Sequence, residues 1–249
     1  MNIYRYIVSF LIVLSFVSAL WPAYGFGIKA LLPVIISVAA TVILDLIINY
    51  FKTKAWIFPQ SALISGLFIG GLLTQNLKWY IYVLAGVIAI LSKHLIKFKQ
   101  KHVFNPANFG ILLASIIFGA EHTWWISSPL ALVIIFGIFL IWRMRRFDLA
   151  LSFILAYFIF SVSADLSLLG NFNELYLFIA NSGVIFFFSM YMLIEPKTTP
   201  PARKQRIVYG IFVALLLIFF NKIIPIHDLP LALAIGNLFV PLIEKKSLL

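Results

Sequence analysis

Residues able to do chemistry are few in this chain, and most fall in two short stretches. "KHVFNPANFG" (101–110) sets Asn105, Pro106 and Asn108 between two long apolar runs. "MLIEPKTTPPARKQR" (192–206) sets Glu195, Thr198 and Thr199 among three prolines. Pro106 lacks an N–H and suits a first helical turn, with Asn105 capping from the position before it. An ordinary helix start is therefore one reading of the first stretch. A binding role is the other, because Asn108, one turn further on, is a costly amide to expose to lipid. Glu195 reads either as an interfacial acid paired with Lys197 or Arg203, or as a functional intramembrane carboxylate. Asp45 poses the same choice, with Lys52 or Lys54 as its expected partner. Ser65 with Gly66, Ser182 with Gly183, and Gly236 with Asn237 interrupt apolar runs; they fit close helix packing or the lining of a cavity. His94 has no second histidine at ligand spacing, so no metal site is expected, and His102, His122 and His227 read as loop residues. There is no cysteine, no Ser/His/Asp arrangement and no phosphate loop. Hydrolysis, thiol redox chemistry and nucleotide-driven pumping are not indicated, and no catalytic residue is assigned.

The elements that must position these residues are membrane spans. Of 249 residues, 63% are hydrophobic and 11% charged, against about a quarter charged in soluble domains. Apolar runs between polar, Pro or Gly breaks predict ten helices, at 4–21, 26–50, 60–74, 78–96, 106–120, 125–143, 147–164, 173–194, 207–222 and 228–243. Several are short, as expected of broken helices shielded by neighbours. Threading these spans sorts the basic residues: of 19, only Lys29, Lys78 and Lys222 fall on the side opposite the termini. That asymmetry predicts a multi-pass protein of the inner cell membrane with both termini cytoplasmic. It also accounts for the net charge of +11 without nucleic acid. The first 21 residues read as a helix rather than a cleaved signal peptide. The expected fold is thus all-α and polytopic, a single transmembrane domain over 1–249 built from five-helix halves at 1–121 and 122–249. Five helices per half invert the second half relative to the first, an arrangement that puts sites at interrupted helices. Short likenesses between "SALISGLFIGGLL" and "NSGVIFFFSMYML", and between "NPANFG" and "GNLFVP", agree with such a repeat. On the outer face, Trp124 and Trp125 read as interfacial anchors.

Four stretches taken in order resemble the RnfD/NqrB family. "SALISGLFIGGLL" resembles its Ser-Gly helix, and "SKHLIKFKQKHVFNPANFG" its Lys-His-Leu segment followed by Phe-Asn-Pro-Ala. "NSGVIFFFSMYMLIEPKTTP" is similar to its second Ser-Gly helix, which ends in Asp-Pro-x-Thr-Ser-Pro; Glu195 stands here for the Asp. "LPLALAIGNLFVPLIEK" is similar to its last helix. The resemblance covers about 60–245 and implies a flavin-carrying membrane subunit of an ion-translocating redox complex. It also implies ten helices in inverted halves, and membrane lipid and other subunits as partners. The flavin-binding set it implies is Ser65, Gly66, Lys93, His94, Asn105, Pro106, Asn108, Ser182, Gly183, Glu195, Thr198, Thr199 and Asn237. Many members attach FMN by a phosphoester to a Thr in an outward-facing Asp-x-x-Ser-Gly-Ala-Thr loop. This chain reads "EHTWWISSPLA" there, with Ser128 the nearest hydroxyl, so a noncovalent FMN or riboflavin is expected rather than covalent flavin at Ser128.

Two further functions fit the same pattern. Inverted halves with interrupted helices also make permeases, so the chain could move flavin or another small solute, supplying exported flavoproteins. Alternatively it is a structural subunit that holds redox partners and has no site of its own.

Overall fold

The computed structural model describes residues 3–164, 173, 176–178, 181–224 and 227–246. Two compact units divide the chain, Met1–Pro129 and Leu130–Leu249. The first holds α1 (Ile3–Leu20), α2 (Leu31–Thr53), α3 (Gln60–Leu72), α4 (Trp79–Leu95) and α5 (Pro106–Phe118). A two-residue ribbon, β1 (Lys97–Phe98) with β2 (Lys101–His102), joins α4 to α5 through Lys99 and Gln100 in left-handed conformations. The second unit holds α6 (Leu130–Met144), α7 (Phe147–Ala164), α8 (Gly183–Phe187), α9 (Arg203–Ile223) and α10 (Asp228–Lys246). A π-helical stretch, Phe188–Met192, continues α8.

Helix prevails because a chain this apolar must satisfy its backbone internally once water is excluded. Residues 3–20, 28–53 and 203–223 form helices long and apolar enough to cross a membrane, and the remaining apolar helices are shorter. The protein is a helical membrane protein, and several expected boundaries move; the ninth helix, for one, begins at Arg203 rather than 207. The second helix begins at Leu31 rather than near 26, because Gly25 and Gly27 take positive φ and Ile28–Ala30 form a 3-10 turn. The sixth begins at Leu130 rather than 125, because Trp125–Ser127 form a separate 3-10 turn ahead of Pro129. The eighth expected span, 173–194, starts among residues that lie mostly outside those described, and its second half is the α8–π stretch.

In the first unit α3 is the buried centre, with every residue from Ser65 to Leu72 covered. Gly66 and Gly70, one turn apart, let it lie directly on α2. A Cβ at Gly66 would come within 2.5 Å of Val38 Cα, and one at Gly70 would overlap the Val34 backbone. Such small-residue seams give van der Waals packing where hydrophobicity offers no drive. Gly110 brings α5 against the Ala85 carbonyl of α4 in the same way. Leu32, Ile35, Ile43 and Ile47 of α2 stay exposed, as a lipid-facing surface requires.

Trp124 and Trp125 do not anchor an interface. They are 4% and 1% exposed, and Trp125 Nε1 donates to the Gly70 carbonyl at 3.0 Å. That carbonyl lies in the last turn of α3, where carbonyls lack an intrahelical partner, and the indole satisfies it. In the second unit α9 lies along α7, with Gly210 against Ser152 and Leu149. Gly137 of α6 faces Met190, and Tyr191 donates to the Val133 carbonyl at 3.0 Å.

Candidate functional site

Asp45 is fully buried in α2, about two turns before the helix ends. Its expected partner was Lys52 or Lys54; instead Lys93 and His94, adjacent in the last turn of α4, both meet it. Lys93 Nζ lies 2.6 Å from one carboxylate oxygen and His94 Nε2 2.5 Å from the other. Lys52, a further seven residues along α2, reaches His94 Nδ1 at 2.9 Å. An ammonium can only donate, so Nδ1 accepts from Lys52 and Nε2–H donates to Asp45. Lys93 also donates to Ser61 Oγ at 2.8 Å, in the first turn of α3.

These groups border a cavity of about 420 Å³. Tyr4, Asn49, Ser61 and Lys93 supply polar lining, with Ile57 and Phe58 as apolar wall. The start of α1, the end of α2, the start of α3 and the end of α4 therefore meet at one end of this unit. The opposite end is closed by Ser18, which donates to the Ile126 carbonyl, and by Thr74 N–H on the Glu121 carbonyl.

Asn105 caps α5: its side-chain oxygen accepts the Asn108 N–H at 3.1 Å, and Pro106 occupies the first helical position. Both asparagines are buried, at 4% and 1% exposure. Ser65 donates to the Ser61 carbonyl one turn back, so the Ser65–Gly66 pair serves the α2–α3 seam. Ser128 Oγ donates to the Trp125 carbonyl at 2.8 Å.

In the second unit the Thr-rich corner folds on itself. The Glu195 carbonyl accepts the Thr198 N–H and both threonine hydroxyls, Thr199 at 2.9 Å. Asn237 of α10 donates to the Thr198 carbonyl at 3.0 Å and to Tyr209 Oη of α9 at 2.9 Å. Pro241, four residues on, cannot donate to the Asn237 carbonyl, which loosens α10 at this level. Glu195, Thr198, Thr199 and Asn237 are thus brought together. Ser182, whose hydroxyl bonds the Phe178 carbonyl, stays with Gly183 at the far end of the α8–π stretch.

Arg206 in the first turn of α9 holds Asp148 in the first turn of α7, with Nε and Nη2 at 2.8 and 2.6 Å from the same oxygen. Tyr209, Ser61 and the Asp148–Arg206 pair went unrecognised in the sequence. Tyr209 sits inside an apolar run, and the others gain meaning only when helices distant in sequence meet.

The NQR2, RnfD, RnfE family matches the chain twice, over residues 2–131 and 127–247. No curated protein gives a significant match. Two consecutive matches spanning nearly every residue, on a helical membrane scaffold, settle the kinship. The chain belongs to the NQR2, RnfD, RnfE family, membrane subunits of multi-subunit electron-transport complexes.

Proposed function

We propose that this subunit holds a noncovalent flavin, FMN or riboflavin, and passes electrons across the inner cell membrane in step with ion movement. In this reading ten spans form two inverted halves, both termini are cytoplasmic, and other redox subunits dock on the protein. The observation that carries it is Lys93. Its ammonium has three donors; Asp45 and Ser61 take two, leaving one for the adjoining cavity. That cavity, at about 420 Å³, falls within the ~300–1,000 Å³ typical of cofactor sites. Apolar Ile57 and Phe58 suit the faces of a planar ring, and Tyr4, Asn49 and Ser61 suit its polar edge.

A bound flavin would supply one- and two-electron chemistry. The work of the chain is orientation and electrostatics. Lys93 donates toward the ring edge and favours negative charge there, while the Asp45 carboxylate keeps the ammonium in place. Phe58 and Ile57 keep water off the ring faces. Asn105, Thr198, Thr199 and Asn237 set the helix ends that shape each unit.

The test is the visible spectrum of protein purified in mild detergent and titrated with FMN or riboflavin. Stoichiometric isoalloxazine absorbance is expected, retained in Lys93→Arg and lost in the charge-neutral double variant Asp45→Asn/Lys93→Met. A wild-type protein that binds neither flavin ends the reading. A second reading, a permease for flavin or another small solute, draws on the π-helical break at Phe188–Met192. Colourless protein whose proteoliposomes accumulate riboflavin would select it.

A further inference from the structure

All the arginines of the chain except Arg5 lie in two short stretches, 143–146 and 203–206. The remaining basic residues are lysines, which satisfy the sidedness rule equally well. In the second unit these two stretches meet. The end of α6, the start of α7 and the start of α9 enclose a groove of about 520 Å³. Arg143, Arg145, Arg203 and Arg206 line it, and among the described residues Asp148 is the one carboxylate there. Asp148 is already held by Arg206. Among the described residues Arg143, Arg145 and Arg203 make no ion pair, so three guanidiniums face the groove unbalanced.

The crowding is felt by a fourth neighbour. Burial first, and then the Arg206 charge, hold the Arg146 guanidinium below the usual arginine range. Arg146 is tied to the Pro200 carbonyl, which fixes the loop ahead of α9. That 21-residue helix begins on Ala202, whose side chain offers no acceptor to its first N–H groups. The positive end of the α9 dipole therefore adds to the field in the groove. Packing like charges together is unfavourable unless an anion sits between them, and planar guanidiniums match phosphate oxygens two at a time.

The surroundings identify what carries the anion. Trp142 lines the groove and is 61% exposed, continuing an exposed row of Ile138 and Ile135 down the same face of α6. A charged head with apolar tails fits this surface, whereas a free anion leaves the row uncovered. We propose that the groove seats the phosphate headgroup of an anionic phospholipid on Arg143, Arg145 and Arg203, with its acyl chains along α6. The proposal rests on the chain lying in a bilayer and not on the flavin reading.

The test is lipid retention by the purified protein, read by native mass spectrometry after exchange into phosphatidylglycerol or phosphatidylcholine. Wild type is expected to prefer phosphatidylglycerol by a factor on the order of 100, the combined effect of three basic side chains near a headgroup. The triple variant Arg143→Gln/Arg145→Gln/Arg203→Gln loses the preference. The triple lysine replacement at the same positions, which keeps charge and folding, retains part of it. Removing Lys97, Lys99 and Lys101 of the first unit leaves it unchanged. Equal retention of both lipids overturns the proposal, as does an unchanged preference in the glutamine variant. Displacement of phosphatidylglycerol by millimolar inorganic phosphate overturns the lipid source and makes this a free-anion site. Loss of bound FMN from the glutamine variant, with lipid retention intact, assigns the groove to the flavin phosphate and overturns it too.

Discussion

Each unit fastens two of its helices together with an acid and a base, α2 to α4 in the first and α7 to α9 in the second, and the two acids differ in depth. In the first, Asp45 lies well inside α2 with no exposed surface, and Lys93 and His94 come to it from the last turn of α4. In the second, Asp148 opens α7 and Arg206 opens α9, with side chains 7% and 15% exposed. The position of Asp148 in a first turn suits the helix dipole. The deep pair uses lysine, a compact charge whose remaining donor can serve a ligand. The shallow pair uses arginine at the mouth of a basic groove. One joint thus does two jobs: in the first unit it holds a cation beside a cavity, and in the second it pins a corner and leaves neighbouring charge on the surface.

The sharpest way to break this contrast is to remove each acid. Asp45→Ala takes a fully buried carboxylate from both Lys93 and His94, two charge-assisted hydrogen bonds at once, and should cost about 3–5 kcal/mol. Asp148→Ala takes one partner from Arg206, which keeps the Pro201 carbonyl, and should cost about 1–3 kcal/mol, as for a charged hydrogen bond. Thermal unfolding in one detergent, followed by tryptophan fluorescence, reads both. Equal losses would mean that depth does not separate the joints.

Next come the glycine seams. A Cβ at Gly70 meets the Val34 backbone, which cannot turn aside, so Gly70→Ala should cost about 1–3 kcal/mol. In Gly137→Ala the Met190 sulfur can swing away on soft torsions, while the Met190 Cβ at 2.9 Å must give by a few tenths of an ångström, so the loss should be smaller, about 0.5–1.5 kcal/mol. The same melting assay decides; the reverse order would place the rigid seam in the second unit.

These seams also show what could be read in advance. The helical membrane character and the places of most helices were legible because lipid punishes an unsatisfied backbone locally, within one helix. The Asn105 cap was legible for the same reason, since capping acts over three residues. Partners across helices were not. Asp45 was paired with Lys52 or Lys54, its neighbours in sequence, whereas Lys93 is 48 residues away. Trp124 and Trp125 looked like interfacial aromatics, but both are buried and Trp125 spends its N–H on the Gly70 carbonyl, 55 residues away. Tyr209 carried no mark at all, because a tyrosine in an apolar run shows its polar end only when Asn237 comes within reach.

The bonds that join Asn237 to the Thr-rich corner and to Tyr209 are neutral, so their energetics should be those of neutral hydrogen bonds. Asn237→Leu and Tyr209→Phe should each cost about 1 kcal/mol. Because the two side chains share a bond, a double-mutant cycle should return a coupling of about 0.5 kcal/mol or more. A coupling of zero would show that Asn237 acts through the Thr198 carbonyl alone.

The smallest effects concern two helix starts. α5 begins on a side-chain cap, Asn105, followed by Pro106; α9 begins on Ala202, with φ −81° and ψ 142° already in the range a capping residue needs. Asn105→Ala should cost about 1 kcal/mol, with Asn105→Ser restoring most of it. Ala202→Ser should do the opposite and add about 0.5–1 kcal/mol, because a hydroxyl would reach N–H groups that alanine leaves without an acceptor. That gain should appear in detergent alone and shrink when phosphatidylglycerol is added. A phosphate seated among Arg143, Arg145 and Arg203 would already accept those N–H groups, so the serine would have nothing left to satisfy. A gain of the same size in both conditions would place any bound headgroup away from the start of α9, and the contrast between a self-capped helix and a ligand-capped one would fail.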